Sequence, residues 1–193
     1  LLDLHQNHLF FPESETFVGL NPVMIADHQK TERDPNQFIT IGQIEKSKGI
    51  PWLVALWKKL PQNLKLNIVG DGTQLDNLKK NTKRENIKFL GRLESDKIFH
   101  LLSESSALIL PSLTYENSPN VIIEAASQDT PTIASHIGGI PELITRFGGT
   151  TFEPQNETEL IAAINNHLEN PLYTKKGEVA SYTARIIKMI NNN

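Results

Sequence analysis

From residue 38 onward, short apolar runs alternate with longer segments whose apolar residues recur at helical spacing. Each short run is bounded by glycine or small polar residues, as buried strands are. The predicted strands are FITIG (38–42), LKLNIVG (64–70), IKFLG (87–91), ALILPS (107–112), TPTIASH (130–136) and GGTTF (148–152). The predicted helices span residues 50–60, 73–81, 94–106, 119–128, 138–147, about 157–168 and about 176–190, with Ser95 as the cap of the third.

This alternation predicts the fold class. Strands that are apolar on both faces, joined by helices, form parallel sheets covered on both sides. The connections between such strands are almost always right-handed. We therefore predict an α/β protein with a doubly wound, Rossmann-like parallel sheet. The polar segment 27–37, which contains one proline, is predicted to be a loop or linker.

Composition narrows the possible functions. The 193 residues include no cysteine, which excludes disulfides, thiolate nucleophiles and cysteine metal sites. The net charge of −3 and the lack of a Lys/Arg block argue against nucleic-acid binding. No apolar run approaches the ~18 residues of a membrane span, and no signal peptide is visible. Because the sequence opens without methionine, we expect that the start of the natural protein is missing.

The chemistry of such a sheet is expected at the carboxyl ends of its strands, where open α/β sheets bind ligands. Glycine and free helix N-termini recur there, and both suit a phosphate-bearing ligand. GDGTQL (70–75) begins like a dinucleotide fingerprint, but Leu75 stands where its third glycine would be. The P-loop motif and the serine nucleophile elbow are both absent from the sequence. The segments that follow the strands are GQIEKSKG (42–49), GDGTQ (70–74), GRLES (91–95), PSLTYENSPN (111–120) and SHIGGIP (135–141).

Two glutamates flank one of these helix starts. In TYENSPNVIIEAA (114–126), Pro119 can begin a helix, so that Glu124 lies more than one turn inside it and Glu116 just before it. Carboxylates accept hydrogen bonds from sugar hydroxyls, and a nucleotide-sugar has hydroxyls on both sides of its diphosphate. The alternative is a helix-cap acid followed by a solvated acid. Lys48, in the loop after the first strand, either meets an anion or is a solvated lysine.

ENSPNVIIEA (116–125) resembles the donor-site signature of retaining GT-B glycosyltransferases of the family 4 type. The resemblance covers about residues 21–150, and more loosely the terminal helices. The other segments that carry it are NPV (21–23), FITIGQIEKSKGI (38–50), LNIVGDGTQLDNL (66–78), IKFLGRLESDKIFHLLSESSALILPS (87–112) and PTIASHIGGIPELI (131–144).

The resemblance implies a role for each matching residue. Glu116 would be catalytic and contact the transferred sugar, and Glu124 would hold the ribose hydroxyls. Lys48 would neutralise the leaving diphosphate, with no metal and no other cofactor required. The remaining donor-binding residues would be Gly42 and Gln43 near the diphosphate, Arg92 and Leu93 along the base, and the helix start formed by Ser118, Pro119, Asn120 and Val121. Pro119 itself has no N–H to offer.

Gln43 departs from the family pattern, because members usually carry arginine at this position. Glutamine brings no charge, so leaving-group stabilisation would be weaker unless a residue such as Lys46 supplies it. The family also implies two domains. Residues 1–20 are expected to be the end of the acceptor domain or an interdomain segment, and 21–193 the nucleotide-sugar domain. Alone, this fragment is expected to bind donor weakly and transfer nothing.

We therefore expect a glycosyltransferase that transfers a hexose-type sugar from a UDP- or GDP-sugar, with retention of configuration. Its acceptor would be a glycan or a lipid-linked molecule in polysaccharide synthesis. The expected location is the cytoplasm, with possible peripheral membrane contact through the other domain. Two alternatives stay open, namely a non-catalytic nucleotide-sugar-binding subunit of the same fold and an unrelated Rossmann-like epimerase or dehydrogenase.

Overall fold

A six-stranded parallel sheet forms the centre of the computed structural model, which describes residues 32–191. The strands lie in the order β3-β2-β1-β4-β5-β6, and parallel registers join all neighbours. The strands are β1 (Asp34–Ile41), β2 (Lys65–Val69), β3 (Ile87–Gly91), β4 (Ser105–Leu110), β5 (Thr132–Ser135) and β6 (Gly149–Phe152). The helices are α1 (Ile50–Trp57), α2 (Leu75–Asn81), α3 (Ser95–Glu104), α4 (Asn120–Ser127), α5 (Ile140–Phe147), α6 (Glu157–Glu169) and α7 (Lys176–Asn191).

The fold confirms the predicted doubly wound α/β sheet and corrects two local predictions. β1 begins at Asp34, inside the predicted linker, because Asp34 pairs with Ser105 in register and its carboxylate meets the Lys65 ammonium at 2.8 Å. Ser95 does not cap α3, because Glu94 is the extended residue that precedes the helix and Ser95 is already helical. The predicted interdomain segment 1–20 and the NPV turn (21–23) lie outside the described residues.

Alternate residues of the central strands pack into layers on opposite faces of the sheet, as the period of a strand requires. Phe38 lies in one layer, where its ring meets the edge of Trp57 at a centroid distance of 5.4 Å. The indole N–H of Trp57 donates to the main-chain carbonyl of Leu64 at 3.1 Å. Ile39 points into the other layer, beside Phe99 and Leu108. Trp57 is thus a core residue.

The order of the strands fixes where a ligand can enter. From the centre of the sheet, β1, β2 and β3 follow one another toward one side edge, and β4, β5 and β6 follow one another toward the other. The order of strand addition therefore reverses between β1 and β4, and the helices that follow these two strands cover different faces of the sheet. A crevice at such a switch point is where open α/β sheets bind ligands.

A buried histidine joins α6 to the start of β4, at the amino ends of the strands. His167 is 4% exposed, and its Nδ1 accepts a hydrogen bond from the main-chain N–H of Leu172 at 3.0 Å. The proton of the neutral ring is therefore on Nε2, which lies 2.8 Å from the hydroxyl oxygen of Ser106. Burial lowers the pKa of His167, and the nearby Arg33 guanidinium acts in the same direction.

We predict that acid destabilises the protein partly through His167. The unfolded state binds a proton near the ordinary pKa of 6.5, while the folded state resists it. This contribution to stability is complete above that pH and is lost as the pH falls below it, at up to about 1.4 kcal/mol per pH unit. Denaturant unfolding at pH 7.5 and 5.5 should show a smaller pH dependence for His167→Gln than for the wild type. The surface variant His100→Gln serves as the control, and an unchanged pH dependence in His167→Gln would contradict the prediction.

Candidate functional site

The loops that follow β1 and β4 touch at the switch point. A side chain at Gly49 would place its Cβ 1.8 Å from the carbonyl oxygen of Pro111, and the φ of Gly49 is +69°. Only glycine combines this φ with so close an approach at low cost. The main-chain N–H of Leu113 also donates to the carbonyl of Ser47 at 2.8 Å. These contacts set Lys48 directly against the loop that carries Glu116.

Lys48 and Glu116 form an ion pair at the centre of the site. The Lys48 Nζ lies 2.5 Å from Glu116 Oε1, and the side chains are 31% and 17% exposed. The hydroxyl of Ser112 donates to the same Oε1 at 3.0 Å. Two donors therefore converge on one carboxylate oxygen. The sequence predicted Lys48 and Glu116 as site residues 68 positions apart, but gave no sign that they touch.

The glycine pair after β5 supports the backbone of Glu116. The main-chain N–H of Gly139 donates to the Glu116 carbonyl at 2.8 Å. A Cβ on Gly138 would lie 2.5 Å from the Glu116 carbonyl oxygen, and one on Gly139 would lie 2.1 Å from that of Asn117. The GGIP turn therefore lets two loops pack backbone to backbone, in addition to preceding α5.

The start of α4 faces the same space. Pro119 is its N-cap, with φ −67°, and the N–H groups of Asn120 and Val121 have no acceptors within the helix because they belong to its first turn. Within residues 32–191, the buried Ser118 hydroxyl and the buried Asn120 Oδ1 have no hydrogen-bond partner. Free donors, unpartnered polar atoms and the positive end of a helix together favour an anionic or polar ligand.

Glu124 lies one turn further along α4 and is half-buried. Burial raises the pKa of this carboxyl. Across the described part of the chain, no group donates a hydrogen bond to it. A desolvated carboxylate without donors gains from hydroxyl groups that a ligand brings.

Two adjoining cavities hold nearly all of the predicted donor-site residues. The α4 cavity, of about 290 Å³, is lined by Lys48, Glu116, Pro119, Asn120, Val121 and Glu124, among others. The β1–β3 cleft, of about 720 Å³, is lined by Gln43, Arg92 and Leu93, among others. Both share Ile41 and Gly42 in their linings. Ser118 lines neither cavity.

Gln43 is exposed at the cleft, where the family pattern has arginine. Lys46, which the sequence suggested as a replacement for the missing charge, is exposed and lines neither cavity. Arg92 is the guanidinium in the lining of the cleft. The cleft that Gln43 lines therefore receives a positive charge from the loop after β3.

The sequence did not predict the interlocking of the loops after β1 and β2. The carboxylate of Glu45 accepts from the main-chain N–H of Thr73 at 2.6 Å and from its hydroxyl at 2.7 Å. The hydrogen bond from the Thr73 backbone, then that from its side chain, lowers the pKa of Glu45. A Cβ on Gly72 would lie 2.6 Å from the carbonyl oxygen of Ile44. Gly72 in GDGTQL therefore allows the loops after β1 and β2 to pack closely.

The family model described as "Glycosyl transferases group 1" matches residues 24–186. The chain belongs to this family of glycosyl transferases, which confirms the predicted family. Retention of configuration and the site roles of the ENSPNVIIEA residues stay predictions. The chain is 31% identical over 145 residues to the glycogen synthase of Mycobacterium tuberculosis (strain CDC 1551 / Oshkosh), a match that covers 71% of this chain and 35% of that protein.

Solved structures share the fold. The apo form of the lipopolysaccharide outer core galactosyltransferase WaaB superposes with a TM-score of 0.69 at 18% identity, over 86% of this chain and 50% of that one. Anabaena Alr3699/HepE in complex with UDP-glucose gives 0.65 at 21% identity, over 82% and 49%. The chain thus spans about half the length of these structures, and its sheet is that of GT-B glycosyltransferases. Of the helices between residues 32 and 191, none is long and apolar enough to cross a membrane.

Proposed function

We propose that this chain is the donor-binding part of a retaining glycosyltransferase that transfers a hexose-type sugar from a nucleotide-diphosphate sugar to an acceptor. The proposal rests on one observation. Lys48, Glu116, Glu124 and the start of α4 surround one cavity at the switch point of the sheet. A cation, two carboxylates and a helix N-terminus match the charges and hydroxyls of such a donor.

In this proposal each part of the donor has its own partner. The diphosphate lies between Lys48 and the free N–H groups of α4, and the ribose hydroxyls meet Glu124. The hexose reaches Glu116, while the base enters the β1–β3 cleft beside Arg92. The side-chain cation and the helix N-terminus stabilise the leaving diphosphate, and we propose that no metal takes part.

Lys48 changes partner during this cycle. Before donor arrives, its ammonium is held by Glu116 at 2.5 Å. A diphosphate carries more negative charge than a carboxylate and attracts the ammonium more strongly at equal distance. Transfer of Lys48 to the diphosphate leaves Glu116 free to accept hydrogen bonds from the sugar. The ion pair thus compensates the charges of both groups until the donor binds.

A second candidate is a non-catalytic nucleotide-sugar-binding subunit of the same fold. The observation that favours it is the uncharged Gln43, which weakens stabilisation of a leaving diphosphate. Transfer or hydrolysis of a bound donor by the whole protein would exclude it. For the first candidate we propose a glycan or lipid-linked acceptor, polysaccharide synthesis and action in the cytoplasm or at its membrane face.

Binding to a panel of UDP-, GDP- and ADP-sugars tests the proposal. Calorimetry on the whole protein should detect binding to at least one of them. NAD is the negative control, since it shares the diphosphate and ribose of a nucleotide-sugar but lacks the hexose. Tight binding of NAD without affinity for any nucleotide-sugar would reject the proposal in favour of a different Rossmann-like enzyme.

We predict that Lys48→Gln weakens binding of UDP by about 10- to 100-fold, the cost of one lost charge-assisted hydrogen bond. Lys46→Gln removes the same charge two residues away and should change the affinity by less than about threefold, because Lys46 lies outside both cavities. Calorimetric titration of both variants with UDP measures the difference. Equal losses of UDP affinity in the two variants would show that the net charge of the protein, and not the position of Lys48, governs binding.

A further inference from the structure

Ser112 lies where β4 gives way to the loop that carries Glu116. It is 0% exposed, and its hydroxyl has the Glu116 carboxylate as acceptor at 3.0 Å. The residues on both sides are fixed as well. Pro111 packs on Gly49, and the N–H of Leu113 bonds to the Ser47 carbonyl at 2.8 Å. The hydroxyl of Ser112 is therefore a rigidly placed donor that points at one oxygen of Glu116.

The ion pair with Lys48 cannot hold Glu116 throughout the reaction. In the proposed function, Lys48 moves to the diphosphate when donor binds, and its contact at Oε1 is then lost. Ser112 is neutral and buried, so an arriving anion does not draw it away. Its hydrogen bond at Oε1 persists and leaves Oε2 for the sugar. A side chain held in this way loses less conformational freedom when substrate arrives.

We propose that Ser112 is a positioning residue that keeps the Glu116 carboxylate in place while Lys48 serves the diphosphate. This inference rests on the proposed function and adds to it a residue that does not touch the donor. Ser112 lines neither the α4 cavity nor the β1–β3 cleft. Its effect is therefore expected on turnover of the donor and not on affinity for UDP.

The test uses the whole protein and the donor that binds most tightly in the panel. Ser112→Ala should lower turnover of that donor by about 10- to 100-fold, the cost of one lost hydrogen bond to a charged group. Affinity for UDP should stay within about twofold, because the start of α4 and Lys48 are unchanged. The matched control is Ser105→Ala, which removes an equally buried hydroxyl at the other end of β4 and should keep normal turnover.

A second pair of variants separates the effect of the hydroxyl's hydrogen bond from the effect of side-chain volume. Threonine and valine have the same shape, but only threonine can donate to Glu116, so Ser112→Thr should turn over donor about tenfold faster than Ser112→Val. Equal rates in this pair would overturn the proposal. A parallel fall of UDP affinity and turnover in Ser112→Ala would also overturn it, because that result indicates a general collapse of the loop.

The outcomes distinguish this inference from the proposed function. If the wild type binds and turns over donor but Ser112→Ala does so equally well, only the role of Ser112 fails. If the wild type turns over none of the panel, the proposed transferase activity fails and the role of Ser112 fails with it. Thermal unfolding of each variant shows whether the fold persists.

Discussion

Replacement of Glu116 by glutamine is expected to lower transfer by the whole protein by about 10²- to 10³-fold, as loss of one electrostatic stabiliser of a transition state does. The side chain is 17% exposed, forms an ion pair with Lys48 and lines the α4 cavity. Glutamine keeps its size but not its charge. In the proposed function, this neutral side chain can neither form an ion pair with Lys48 nor stabilise positive charge that develops on the sugar.

The measurement is steady-state transfer or hydrolysis of the donor, together with calorimetric binding of UDP. UDP affinity should change by less than about threefold, because UDP lacks the hexose that Glu116 contacts. Glu85→Gln, at an exposed position of the loop before β3, removes the same charge far from the site and should leave transfer unchanged. Transfer by Glu116→Gln at the wild-type rate would remove Glu116 from the mechanism.

Replacement of Gly139 by alanine should have the second-largest effect, although Gly139 is not expected to touch the donor. Its added Cβ would lie 2.1 Å from the carbonyl oxygen of Asn117, so the backbone beside Glu116 must move. A displacement of about 1 Å in a catalytic group costs roughly 10²-fold in rate. We also expect a loss of about 1–3 kcal/mol in the free energy of unfolding, as overpacking typically causes.

Donor turnover and thermal unfolding measure the two effects of Gly139→Ala. The φ of Gly139 is −84°, which any residue adopts, so the penalty is one of space and not of backbone strain. Gly177→Ala is the matched control. Apart from its chain neighbours and the backbone of its own helix, no heavy atom lies within 4 Å of a Cβ at that position of α7, so alanine there should not destabilise the protein. Normal turnover in Gly139→Ala would show that the loop tolerates the shift.

The predicted helices and strands agree with the structure because they depend on local periodicity. A strand such as ALILPS is buried on both faces and has no alternation, which distinguishes it from its helical neighbours. The start of β1 was placed four residues late. Its first residues, DPNQ, are polar, and they become part of the strand only through pairing with β4 and the ion pair to Lys65. Such partners are not visible in the local sequence.

The residues of the candidate site also fall into two groups, those that a local motif predicted and those that only tertiary contacts identify. Glu116, Pro119 and Glu124 belong to one motif, so the resemblance of that motif to a donor-site signature was enough to predict them together. Ser112 and Glu45 were missed, since a buried serine after a strand and a loop glutamate have no distinguishing pattern. What identifies them are hydrogen bonds to Glu116 and Thr73, residues that the fold brings close.

The sequence by itself determined the doubly wound fold and placed two carboxylates around a helix start at the carboxyl ends of the strands. Each of these follows from periodicity or from residues that are near one another in the chain. Only the tertiary structure decided that Lys48 pairs with Glu116, that Ser112 shares the same carboxylate oxygen and that Gly138 and Gly139 support the loop. The physical reason is that these contacts join the ends of three strands, β1, β4 and β5, and depend on distances that are set when the sheet assembles.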